Sequence, residues 1–134
     1  MLKIEWEDNY SVGHQEIDNQ HKQWIAFYNE LHDYMMSGGT EGKQLEMLKK
    51  IIDYTDYHFK YEEHLMKEFG FEHLIPHVRE HVAFRNKMTE LYNDVEHGEL
   101  VLNSQLLSKM LNWLTDHILS EDKKYAKLFG GRED

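Results

Sequence analysis

Four long segments in which apolar residues recur every three or four positions constrain this chain more than any other feature of its sequence. Pro76 is the only proline, so little in the chain breaks a helix except a few glycine-bearing gaps. After an irregular N-terminal arm, residues 1–17, Asp18 reads as the N-cap of a first helix through Met36. Trp24, Ile25, Phe27, Tyr28, Leu31 and Met35 supply its apolar side, and Ser37-Gly38-Gly39-Thr40 ends it. A second helix is expected from Glu41 to Phe69, with Leu48, Ile51, Thr55, Phe59 and Leu65 at helical steps and Gly70 as its stop. A third begins near Pro76, which a first helical turn tolerates, and runs through Phe84, Met88 and Leu91 to His97-Gly98. Residues His73 to Ile75 belong either to its start or to the connection before it. The fourth, capped by Asn103 or Ser104, carries Leu107, Leu111, Leu114, Ile118, Tyr125 and Leu128 and stops at Gly130-Gly131. Long helices with short connections predict an all-α, up-down-up-down antiparallel four-helix bundle. The chain of 134 residues suits a single domain, with the arm at 1–17, the bundle at 18–130 and a tail at 131–134.

Composition removes several classes of function. Without cysteine there is no disulfide, thiolate zinc site or iron–sulfur cluster, so any metal must be held by nitrogen and oxygen. The formal charge of -10 argues against nucleic acid or an anionic membrane surface as a partner. No run of about 18 apolar residues is present, so membrane insertion is not expected and the chain reads as a soluble, cytoplasmic protein.

Each helical segment also carries histidine. His21 lies in the first, His58 with Glu62 in the second, His77 with His81 in the third, and His117 with Asp122 in the fourth. Two of these pairs are four residues apart and share one helical face. Any one pair is ordinary in a charge-rich helix, where a histidine beside an acid is usually a satisfied surface group. Four groups on four successive helices are better explained together, by a metal site at the centre of the bundle. His117 and Asp122 fit least well, since five residues at 100° leave them about 140° apart on an ideal helix. Glu121 is the simpler partner on geometry alone. A local π-bulge would instead bring Asp122 inward, and the spacing leaves both open.

These residues resemble a known family. WEDNYSVGHQEIDNQH (Trp6 to His21), HFKYEEHLM (His58 to Met66), HVREH (His77 to His81) and WLTDHILSED (Trp113 to Asp122) match the hemerythrins in order, and the chain is most similar to bacterial single-domain bacteriohemerythrins. The resemblance spans nearly the whole chain and selects Asp122 over Glu121. It implies two iron ions, one bound by His77, His81 and His117 and the other by His21 and His58, bridged by Glu62, Asp122 and an oxo or hydroxo group. One iron then has six ligands and the other a vacancy. Dioxygen would bind there as hydroperoxide, without net charge entering a low-dielectric pocket. Copper and zinc also accept imidazole, so iron rests on the resemblance.

In the family pattern Phe59, Trp113, Leu114 and Ile118 line the oxygen pocket, although each also suits ordinary core packing. His14, His32, His64, His73 and His97 match no ligand position, and Trp6 and Tyr10 are expected to anchor the arm. The function expected is reversible, non-enzymatic dioxygen binding for carriage, storage or supply, with an oxygen-using or redox protein as a possible partner. The alternatives are an oxygen, redox or nitric oxide sensor acting through a separate partner, and a di-iron peroxidase or oxidase.

Overall fold

A computed structural model describes residues 5–126 and contains only helices in that range. They are α1 (Gln15–Met36), α2 (Glu41–Glu68), α3 (Leu74–Glu96) and α4 (Ser104–Asp116), with a short 3₁₀ turn at Asp8–Tyr10. Past α4 the rod continues as a π-helical segment, His117–Asp122, and one final α-helical turn, Lys123–Tyr125. The expected end of the fourth helix at Leu128 and Gly130, and the tail at 131–134, lie outside the described residues. α2 packs against both α1 and α3, and α1 closes the bundle against α4. No helix among the described residues is long and apolar enough to cross a membrane.

The helix ends follow local chemistry. Thr40 and Asn103 cap α2 and α4 by accepting from the N–H groups of Lys43 and Leu106. Gly70, at φ 71°, ends α2 in a left-handed turn, with Phe71 N–H donating to the Met66 carbonyl at 2.9 Å and Gly70 N–H to that of Lys67 at 3.2 Å. Only glycine adopts that backbone without steric cost, which is why the stop is legible.

One start differs from expectation, and one open choice is resolved. α1 begins at Gln15 rather than after Asp18, because the His14 imidazole is the cap: its Nδ1 accepts from Ile17 N–H at 3.2 Å. Asp18 lies in the first turn and folds back on the arm, accepting from Val12 N–H at 2.9 Å and from the Ser11 hydroxyl. α3 begins at Leu74, two residues before Pro76, so the proline still falls in a first turn whose N–H groups lack helical partners. In the arm, Trp6 and Tyr10 pack 5.5 Å apart on the main core, and Lys22 sits over the Trp6 ring.

The core has two parts. The larger contains Trp24, Tyr28, Leu48, Ile51, Phe59, Phe84, Met88, Leu111, Leu114 and Ile118, and the smaller Val12, Ile17, Leu65, Met66 and Tyr125. Burial of each large apolar side chain stabilises by about 1.5–3 kcal/mol. Along α1, Ile17 and Trp24 flank His21; along α2, Phe59 and Leu65 flank Glu62; beyond α4, Ile118 and Tyr125 flank Asp122. A band of buried polar groups therefore separates two apolar clusters.

Candidate metal centre

His21, His58, Glu62, His77, His81, His117 and Asp122 are all buried, none more than 3% exposed. The bundle brings all seven together. Helical spacing aims His58 with Glu62 and His77 with His81 inward. Asp122 arrives by a different route: the π segment widens the turn after His117 and places Asp122 Oδ1 3.0 Å from His117 Nε2. Glu121, the simpler partner on an ideal helix, points away and pairs with Lys124 at 3.1 Å.

The two carboxylates divide the histidines into two sets. Glu62 Oε1 faces His81 Nε2 at 3.2 Å and His77 Nε2 at 3.6 Å, while its Oε2 faces His58 Nε2 at 3.0 Å and His21 Nε2 at 3.2 Å. Asp122 repeats the division, with Oδ1 near His77 and His117 at 3.1 and 3.0 Å and Oδ2 3.2 Å from His21. Each acid thus spans two neighbouring positions, one surrounded by three imidazoles and the other by two. Donor atoms of Glu62, His77, His81, His117 and Asp122 lie within 4.8 Å of one another, as do those of His21, His58 and Glu62.

Sequence and structure comparisons identify the family. Residues 12–129 match the family model for the Hemerythrin HHE cation binding domain. The chain belongs to the hemerythrin family. It is 33% identical over 126 residues to the bacteriohemerythrin of Pseudomonas aeruginosa, covering 94% of this chain and 81% of the relative. Myohemerythrin-1 of Phascolopsis gouldii is 28% identical over 90% of this chain and 89% of its own. The crystal structure of a wild-type hemerythrin superposes with a TM-score of 0.89 at 28% identity, covering 94% of this chain and 97% of that one.

The donor chemistry of this hemerythrin suits metal. Among the described residues, His58 Nε2, His77 Nε2, Glu62 Oε1 and both Asp122 oxygens are buried without a hydrogen-bond partner. Such orphaned groups are costly, so their convergence is informative. The outer ring nitrogens explain which inner ones are free. His58 Nδ1–H donates to Gln20 Oε1 at 2.7 Å, His81 Nδ1–H to Glu63 at 2.8 Å and His117 Nδ1–H to Glu80 at 3.3 Å. With those protons outside, His81 Nε2 and His117 Nε2 turn lone pairs toward each other at 3.1 Å, an arrangement that a cation between them would relieve.

Without a cation, protons take its part. Burial opposes charge on His21 and His77, but hydrogen bonds and fields from Asp122 and Glu62 outweigh it and raise them to about 9 and about 10. His81 also rises, against its burial, through Glu62 and Glu63, whereas burial dominates at His58 and lowers it. Both acids remain far below the ordinary carboxylate range despite burial, held there by the surrounding imidazoles.

Aromatic and aliphatic side chains pack around the imidazoles. Phe59 stacks on His81 with ring centroids 3.7 Å apart, and Trp113 on His117 at 4.5 Å. Leu114 and Ile118 are fully buried beside them. Trp24, a core position by its helical spacing, also reaches the centre. Its indole lies 5.1 Å from His58 and 5.4 Å from Phe59, fixed by a 2.9 Å hydrogen bond from Nε1–H to Thr55. Gln20, Glu63 and Glu80, which bond the outer nitrogens, and Tyr125, whose hydroxyl donates to Glu62 at 2.8 Å, carry no site signal of their own in the sequence. Gln20 and Glu80 each stand immediately before a candidate ligand and Glu63 immediately after one, so adjacency was the available clue.

The other histidines lie elsewhere. His14 caps α1, His97 stands at the end of α3 bonded to the Asn93 carbonyl, and His64 and His73 are exposed. His32 approaches Asp33 at 3.4 Å.

Proposed function

We propose that this hemerythrin reversibly binds dioxygen at a di-iron centre, carrying, storing or supplying oxygen rather than transforming it. The observation that supports it most is the division of each buried carboxylate between a three-histidine and a two-histidine position. His77, His81 and His117 would hold one iron and His21 and His58 the other, with the Glu62 and Asp122 carboxylates shared between them. Two ferrous ions would supply the electrons that dioxygen takes up and returns.

The protein's contribution is positional. One position is surrounded by three imidazoles and two carboxylate oxygens and the other by two imidazoles and two oxygens, so a bound metal would have room for a further ligand beside His21 and His58. Phe59, Leu114, Ile118 and Trp24 keep water away from it, and a dry pocket slows protonation and loss of reduced oxygen. Gln20, Glu63 and Glu80 fix the tautomers, presenting Nε2 to the metal.

The test is anaerobic loading with ferrous iron, exposure to air and removal of oxygen, followed by absorption spectroscopy. Two irons per chain and a charge-transfer band that appears with oxygen and vanishes on its removal are expected. Irreversible oxidation, or no more than one iron per chain at saturation, would refute the reading.

A further inference from the structure

The outer hydrogen bonds of the centre differ between its two sides. At the three-histidine position, His81 Nδ1–H donates to the Glu63 carboxylate at 2.8 Å and His117 Nδ1–H to that of Glu80 at 3.3 Å. At the two-histidine position, His58 Nδ1–H donates to the amide oxygen of Gln20 at 2.7 Å, and His21 Nδ1 is buried without a hydrogen-bond partner among the described residues. Gln20 Nε2–H donates to Glu16 at 2.9 Å, which turns the amide oxygen toward His58. A carboxylate behind an imidazole draws the Nδ1 proton toward itself and makes Nε2 a stronger donor to metal. A neutral amide does so less, and an unpartnered N–H not at all.

The shared acid carries the same bias. The Tyr125 hydroxyl donates at 2.8 Å to Glu62 Oε2, the oxygen that faces His21 and His58, and so withdraws charge from that side. Glu62 Oε1, which faces His77 and His81, has no hydrogen-bond partner among the described residues. Of the two outer carboxylates Glu63 acts more strongly: its bond is shorter, and its side chain is 26% exposed against 42% for Glu80, so water screens it less.

We propose that Glu63, assisted by Glu80, is a positioning residue that makes the two metal positions unequal, so that the three-histidine position holds a divalent cation more tightly and its iron is oxidised first. In that first oxidation an acceptor such as ferricyanide takes one electron from one ferrous ion, giving ferrocyanide and one ferric ion, with no bond formed or broken. The iron beside His21 and His58, where a further ligand has room, then stays ferrous. The oxidation half rests on the di-iron reading, whereas the inequality in cation binding does not.

The inequality is tested by withdrawing zinc with a chelator from protein loaded with two zinc ions and labelled with ¹⁵N-histidine. The ring resonances of His21 and His58 are expected to change with loss of the first ion, and those of His77, His81 and His117 with loss of the second. Glu63→Gln keeps an acceptor for His81 Nδ1–H and removes only the charge; it is expected to weaken the tighter ion about tenfold. The exchange variant Glu16→Gln/Gln20→Glu places a carboxylate behind His58 at unchanged net charge and is expected to tighten the weaker ion about tenfold. Simultaneous change of both histidine sets, wild-type affinity for the tighter ion in Glu63→Gln, or an unchanged weaker ion in the exchange variant overturns the proposal.

Oxidation is tested by anaerobic titration of the diferrous protein with ferricyanide. The first potential is expected to rise in Glu63→Gln by about 59 mV, a tenfold change in a one-electron equilibrium, because the ferric state loses a stabilising charge. An unchanged first potential overturns the oxidation half. Ordered, Glu63-dependent zinc release from a protein that takes up fewer than two irons would refute the di-iron reading and leave the inequality standing; two irons with reversible oxygen binding and Glu63-independent zinc release would refute the inequality alone.

Discussion

Removing the metal should cost this hemerythrin a large part of its stability. Five buried atoms that face one another across the centre, His58 Nε2, Glu62 Oε1, His77 Nε2 and both Asp122 oxygens, have no hydrogen-bond partner while the imidazoles carry no inward proton. At about 1–3 kcal/mol each, they represent about 5–15 kcal/mol, comparable to the whole stability of a typical domain. Protons on His21 and His77 recover part of this by neutralising the acids, so the lower end is the appropriate expectation. For a chain of this size about 5 kcal/mol corresponds to a fall in Tm of at least about 15 °C. The pH dependence has a definite sign. His21 and His77 are raised from an ordinary 6.5 to about 9 and about 10, so their contribution to the metal-free fold is complete below about pH 6.5 and is lost as pH rises past those values. In the loaded protein metal replaces those protons, so the alkaline loss disappears and metal is instead released as acid protonates the ligands. Calorimetry of loaded and chelator-stripped protein between pH 6 and 10 measures both effects. Melting points within about 3 °C of each other at pH 7, or a stripped protein that gains stability from pH 7 to 10, would refute this account of the buried band.

Three substitutions probe the centre separately. Asp122→Asn should reduce iron to less than two per chain, whereas Glu121→Gln, altering the residue paired with Lys124, should leave iron content unchanged; metal analysis of both variants decides which acid the π segment selects. Gln20→Leu removes the acceptor of His58 Nδ1–H and should weaken uptake of one metal by about 10–100-fold in a competitive chelator titration, with the other metal little affected. Leu114→Ala should lower stability by about 2–5 kcal/mol in denaturant unfolding and speed autoxidation while retaining two irons; an unchanged autoxidation rate would remove Leu114 from the oxygen pocket.

Much of the fold was readable because its punctuation is local. Gly70 and Gly98 mark helix ends through backbone conformations that they alone accept cheaply, and the apolar steps of α2 and α3 follow directly from the helical period. The start of α1 differs from the sequence reading for a reason that is not local. Asp18 has a common capping side chain, but the arm's Val12 and Ser11 provide donors for it, leaving the His14 lone pair to cap the helix. That competition depends on where the arm folds back, a tertiary fact that residue type does not carry.

The centre shows the same boundary between local and tertiary information. Pairs four residues apart declare their shared face, so His58 with Glu62 and His77 with His81 were legible from spacing alone. Asp122 was legible only through resemblance, because an ideal helix turns it about 140° from His117 and favours Glu121. The π segment reverses that preference, and its cause lies in the site itself. Asp122 must reach His77 and His21 on two other helices as well as His117, and only the widened turn offers its two oxygens to both sides. Gln20, Glu63 and Glu80 were hidden by a related geometry. An imidazole presents its two nitrogens to opposite sides, so the partner of the outer nitrogen comes from a different helix from the ring it orients: Gln20 of α1 serves His58 of α2, Glu63 of α2 serves His81 of α3, and Glu80 of α3 serves the His117 ring beyond α4. α1, α2 and α3 each supply inward donors and also an outer support for a ligand on the next element, so the centre is a property of the assembled bundle, and loss of one support should loosen a ligand on its neighbour rather than on its own helix.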